Sequence, residues 1–165
     1  MSRAALLVVV ASLLAACAPD THGDLRDAVR LHPAGWPARM TFAGVGVGSA
    51  LGEARAAFGG ELVFPWDGTH LAHERVADFG TKLDVWYGLT RDGSDALSGL
   101  TLEYTGNALA ISRLGGRWRE VFSAIPGACG ESACQWNDEE GRMIALLTTI
   151  IRWTGTSSLT VTIER

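Results

Sequence analysis

Residues 43–60 read AGVGVGSALGEARAAFGG, with six glycines in eighteen positions. Such a stretch either cradles a phosphate or shapes a backbone, and the choice decides the fold. A dinucleotide fingerprint needs Gly-x-Gly-x-x-Gly between a strand and a helix. Counted from Gly44 the sixth position is Ser49, and from Gly46 it is Leu51, so neither register fits. A Walker loop requires Gly-Lys, and the single lysine, Lys82, follows Thr81. Gly-x-Ser-x-Gly fails because Val47 stands two before Ser49. Leu51, Ala54 and Phe58, at i, i+3 and i+7, instead predict a short amphipathic helix. Gly48 precedes it and Gly59-Gly60 stops it. No nucleotide or other cofactor is expected.

A second helix of this kind is expected downstream. Trp118, Val121, Phe122 and Ile125 form a similar stripe that ends at Pro126-Gly127. A shift of 67 positions places Gly48 on Gly115, Glu53 on Glu120, Ala57 on Ala124 and Gly60 on Gly127. Strand-like runs follow each helix. ELVF, LDVWYGL and LSGLTLEY come after the first, with Leu83, Val85 and Tyr87 alternating against Asp84 and Trp86. CQW, RMIALLTTIIRW and LTVTIE come after the second. The expected fold class is α+β. Two helix-then-antiparallel-strands halves, 41–106 and 107–165, form one layered helix-on-sheet domain over 41–165. The segment 17–40 reads as a tether. It holds three of the five prolines, and a short helix over 24–31 is ended by Pro33.

The first residues speak of location. Arg3 is followed by thirteen uncharged residues and then Cys17, which describes an export signal over 1–16. The run is shorter than the ~20 residues a spanning helix needs. Leu14-Ala15-Ala16-Cys17 resembles the lipobox of bacterial lipoproteins. The resemblance implies cleavage before Cys17, acylation (including palmitate) of that cysteine, and a membrane anchor made of lipid. Ala18 in place of Asp implies the outer membrane over the inner, with the domain in the periplasm of the cell envelope. The other two cysteines, Cys129 and Cys134, are expected to form a disulfide in that oxidising compartment. Their spacing fits neither a CxxC redox pair nor a zinc site. The loop they close is short, so the bond contributes only about 2 kcal/mol.

Composition narrows the partners. There are fourteen basic residues, one of them Arg3, against eighteen acids, so the chain from Cys17 onward carries a formal charge of −5. No basic run exists, which excludes a nucleic-acid footprint. His70 and His73 in THLAHE lack the order of zincin ligands and read as solvent-facing or hydrogen-bonded loop residues, so no metal is expected. Asp138, Glu139 and Glu140 read as a solvated turn too short for a calcium loop. No clustered nucleophile, base or metal set suggests an enzyme, and no catalytic residue is assigned.

The globular part resembles small lipoproteins of the SmpA/OmlA type and the related β-lactamase-inhibitor-protein fold. The residues that carry this are Val47-Gly48-Ser49-Ala50 ahead of the first helix and Phe58-Gly59 after it. Ser49 and Ala50 replace the family's Met-Thr. The resemblance implies a fold and, more loosely, a non-enzymatic envelope protein that binds a protein partner or supports a complex. An alternative uses the six tryptophans. Trp86, sharing a strand face with Asp84, is the candidate contact for a glycan or other small periplasmic ligand. An open Trp86 beside an acidic concavity favours the second reading, and an exposed apolar patch favours the first.

Overall fold

The computed structural model describes residues 25–32, 39–90, 93–130 and 133–164. Its main sheet grows from period-two alternation. Strands β4 (Glu61–Phe64), β5 (Thr69–Ala77), β6 (Thr81–Leu89) and β7 (Leu97–Gly106) run as one antiparallel meander. Strands β8 (Cys134–Asn137), β9 (Met143–Ile150) and β10 (Ser157–Glu164) run as another. Pairing of β7 with β10 joins them in the order 4-5-6-7-10-9-8. Leu83, Val85, Tyr87, Leu100, Leu102, Tyr104, Leu159, Val161 and Ile163 all point to one buried face. A smaller antiparallel sheet comprises β1 (Val29–His32), β2 (Arg39–Phe42) and β3 (Val45–Gly46).

The buried face is covered by helices and the small sheet, as a one-sided hydrophobic sheet requires. Helix α2 (Leu51–Phe58) presents Ala54 and Phe58, and α3 (Ala108–Ser123) presents Ile111, Leu114, Trp118 and Phe122. Phe42 joins the two helices, stacking on Phe58 at 6.1 Å and lying 6.4 Å from Trp118. Asn107 caps α3, its side chain accepting the Ala110 N–H at 2.9 Å. The result is a mixed, mostly antiparallel α+β architecture, richer in strand than the expected helix-then-three-strands plan.

The glycine-rich stretch is stitched into this frame. Gly46 N–H reaches Ser49 Oγ, Gly48 N–H reaches Leu97 O, and Leu51 N–H reaches Asp95 O. These amide donors, which an anion would need, are already paired within the fold. Gly46 lies so close to β2 that an added Cβ would sit 2.6 Å from Met40 O. Gly60, at φ +111°, leaves room for Tyr87 and the β5 backbone, with Leu71 O 3.1 Å from where a Cβ would be.

Four expectations change. The folded part starts upstream of Met40: a helical turn α1 (Leu25–Ala28) leads into β1, and Leu25 and Val29 are core residues. The expected helix over 24–31 ends early because β-branched Val29 joins Phe42 in a strand ladder. The matched glycines are not equivalent, since Gly48 precedes α2 whereas Gly115 lies buried within α3, against Leu159 and Thr149. Finally, THLAHERVA is strand β5 and not a loop, which gives the first meander four strands.

Candidate functional site

The outer sheet face carries the residues singled out from the alternation. Trp86 and Asp84 lie on it, both half-buried. The registers align Trp86 with Thr101 and Thr162, and Asp84 with Glu103, Thr160 and Thr148. Two carboxylates directly opposite one another repel. Here each has a partner: Lys82 Nζ lies 3.2 Å from Asp84 Oδ2, and Trp86 Nε1 donates to Glu103 Oε2 at 3.2 Å. His73 Nδ1 lies 3.7 Å from Asp84 Oδ1, a contact that becomes an ion pair when the imidazole is protonated. The arrangement is a threonine-flanked polar surface in which Lys82 offsets Asp84 and Glu103 is held by the neutral indole N–H. Trp86 is tied down by its own indole N–H and does not offer a free ring. Among the described residues, no group of three or more His, Cys, Asp or Glu side chains is placed to hold a metal.

His70 corrects the sequence reading. It is 2% exposed on the opposite face from His73, its ring stacked on Tyr87 at 5.1 Å, and Tyr87 donates its hydroxyl proton to Gly59 O. Burial, helped by the Arg55 charge, lowers the His70 pKa below its usual 6.5. The folded state therefore holds this imidazole neutral, while the unfolded chain takes up its proton near pH 6.5. Stability rises with pH between the folded pKa and 6.5 and is lost as pH falls through that window. Urea midpoints should drop as pH falls below about 6.5, and His70→Leu should flatten that slope. An identical slope in the variant would show that His70 does not titrate on unfolding.

Val76 and Ile150 are exposed on the outer sheet face, and a longer apolar run lies at the sheet edge. Edge strand β4 is exposed along its whole length, with Leu62, Val63 and Phe64 uncovered on both faces. One side pairs with β5, and the other is the free edge of the sheet. The following turn adds Trp66, 79% exposed and 5.3 Å from the Phe64 ring. An apolar edge templates strand addition and is usually protected by charges or by bulges; here the β4–β5 register shifts between Leu62 and Phe64. Glu61 is the only charged residue on β4.

Periodicity did not single out Trp66, nor Trp153 at 85% exposure. The usable signal was their turn context, Pro65-Trp66-Asp67-Gly68 and Arg152-Trp153-Thr154-Gly155, where a ring has no sheet face to enter. Trp118 and Trp136 are core residues. Cys129 and Cys134 form a disulfide with Cα atoms 4.0 Å apart, pinning the loop after α3 to the start of β8. Cys17 and Trp36 lie outside the described residues. Asp138 organises the β8–β9 turn, accepting the N–H groups of Glu140 and Arg142. No helix of the described residues is long and apolar enough to cross a membrane. No family model, curated protein or solved structure matches the chain, so the functional reading rests on its own residues.

Proposed function

We propose that this chain is a lipid-anchored lipoprotein of the cell envelope whose domain binds a protein partner and performs no catalysis. The observation that carries the binding role is the apolar β4 edge, open on both faces and extended by Trp66. A partner segment adding to this edge would gain main-chain hydrogen bonds and cover Leu62, Val63 and Phe64 together. The anchor rests on the lipobox-like Leu14-Ala15-Ala16-Cys17, and Ala18 favours the outer membrane with the domain in the periplasm. A Cys129–Cys134 disulfide suits that compartment. The glycan reading loses support because Trp86 is half-buried and bonded to Glu103. The order of the sheet, two meanders each introduced by a helix, also supports a domain built from two related halves.

The test is recovery of a stoichiometric partner from detergent-solubilised envelopes, compared with a Leu62→Lys variant. Leu62 is 51% exposed, so the charge should leave the fold intact while blocking the edge. The wild-type chain should bring down a partner that the variant loses. Recovery of none, or equal recovery by both, would remove the proposal's basis.

A further inference from the structure

Trp153 stands at the tip of the 151–156 turn between β9 and β10, 85% exposed. The turn is built and not loose. The Ser157 hydroxyl, fully buried, accepts the Arg152 N–H at 2.9 Å and donates to Arg152 O at 3.1 Å. A rigid turn therefore holds a large aromatic ring away from the fold. Its chemistry is one-sided, since residues 148–158 contain no acid and include Arg152.

The sheet registers place other apolar groups at the same end. Ala77 pairs with Thr81, Lys82 with Thr105, and Gly106 with Ser157. The Asp78–Gly80 turn, the start of α3 and the Trp153 turn thus share one end of the sheet. Phe79 is 40% exposed there and carries the Arg117 guanidinium 5.0 Å above its ring, and Leu109 is 59% exposed. Trp66 belongs to the opposite end, where Phe64 meets Thr69. The chain also enters the fold at the Trp153 end, because Leu25 lines a small cavity with Ala77, Asp78 and Leu114. Residues 18–24 separate Cys17 from Leu25, and these seven residues span at most about 25 Å.

We infer that this end of the domain docks on the bilayer, with Trp153 as the interfacial anchor, Leu109 and Phe79 beside it, and Arg152 directed to the lipid phosphates. The inference rests on the lipid-anchor reading. Tryptophan suits the headgroup boundary because its ring is apolar and its N–H polar. Arginine can lie along apolar surface and keep its charge at the phosphates. Docked this way, the domain turns the Trp66 end, and with it β4, away from the membrane.

The experiment uses the mature acylated chain in vesicles of phosphatidylethanolamine and phosphatidylglycerol with brominated acyl chains, which quench nearby tryptophan emission. After flotation, the wild-type chain should show quenched tryptophan emission that Trp153→Phe loses, as one ring at the interface requires. Trp66→Phe should leave the quenched signal unchanged. Flotation with equal quenching in wild type and Trp153→Phe would overturn the docking inference alone. Failure of the wild-type chain to float would overturn the anchor reading and the inference with it.

Discussion

Trp118→Ala is expected to remove a large share of the domain's stability. The side chain is fully buried, and it meets Phe42 of β2, Tyr104 of β7 and Phe122 of its own helix at 6.4, 6.3 and 6.4 Å. It thus fastens α3 to both sheets at once. Truncating a buried tryptophan costs about 3–5 kcal/mol, because the transfer term and the cavity term add. A domain of this size has only about 5–15 kcal/mol to lose. Trp118→Phe should cost much less. It keeps an aromatic ring in the same contacts and so leaves a smaller cavity. Urea denaturation of the purified protein checks both variants. A loss under about 1 kcal/mol for Trp118→Ala would mean that α3 does not pack on the sheet as described.

The elements that could be read in advance are those whose neighbours on one face are all large and apolar. Leu83, Val85 and Tyr87 announced β6, and Leu159, Val161 and Ile163 announced β10, because each alternates with polar residues. Strand β5 escaped for a physical reason. Its inward positions include His70, a polar side chain buried by stacking on Tyr87, and a bulge between Ala72 and Arg75 resets the alternation. The first half of α3 escaped because Gly115-Gly116 resembles a breaker. Tertiary packing overrides that propensity, since Gly115 lets the helix lie close to Leu159 and Thr149. Strand β1 is only four residues long and gains its stability from β2, which no local pattern reports.

The candidate site divides the same way. The shared face of Asp84 and Trp86 follows from a period of two, whereas the Trp86–Glu103 hydrogen bond depends on how β6 and β7 register. The exposure of β4 was invisible in sequence. ELVF reads only as a short strand, and its position at the edge of the sheet leaves it uncovered. Trp66 and Trp153 gain their meaning from being at opposite ends of one sheet, a relation set by topology alone.

Cys17→Ser carries the other large expected effect, loss of membrane attachment. Each buried acyl CH₂ contributes roughly 0.8 kcal/mol, so several chains on Cys17 would hold the protein firmly and their removal would leave little to replace them. No helix among the described residues can span a bilayer. The chain from Cys17 onward is acidic, which gives no general attraction to an anionic surface. Contacts such as the one proposed for Trp153 would orient a tethered domain and would be too few to retain an untethered one. Metabolic labelling with a palmitate analogue tests the anchor most directly. The wild-type chain should take up label and the Cys17→Ser chain none; label persisting in the variant, or absent from the wild type, would contradict a lipid anchor at Cys17.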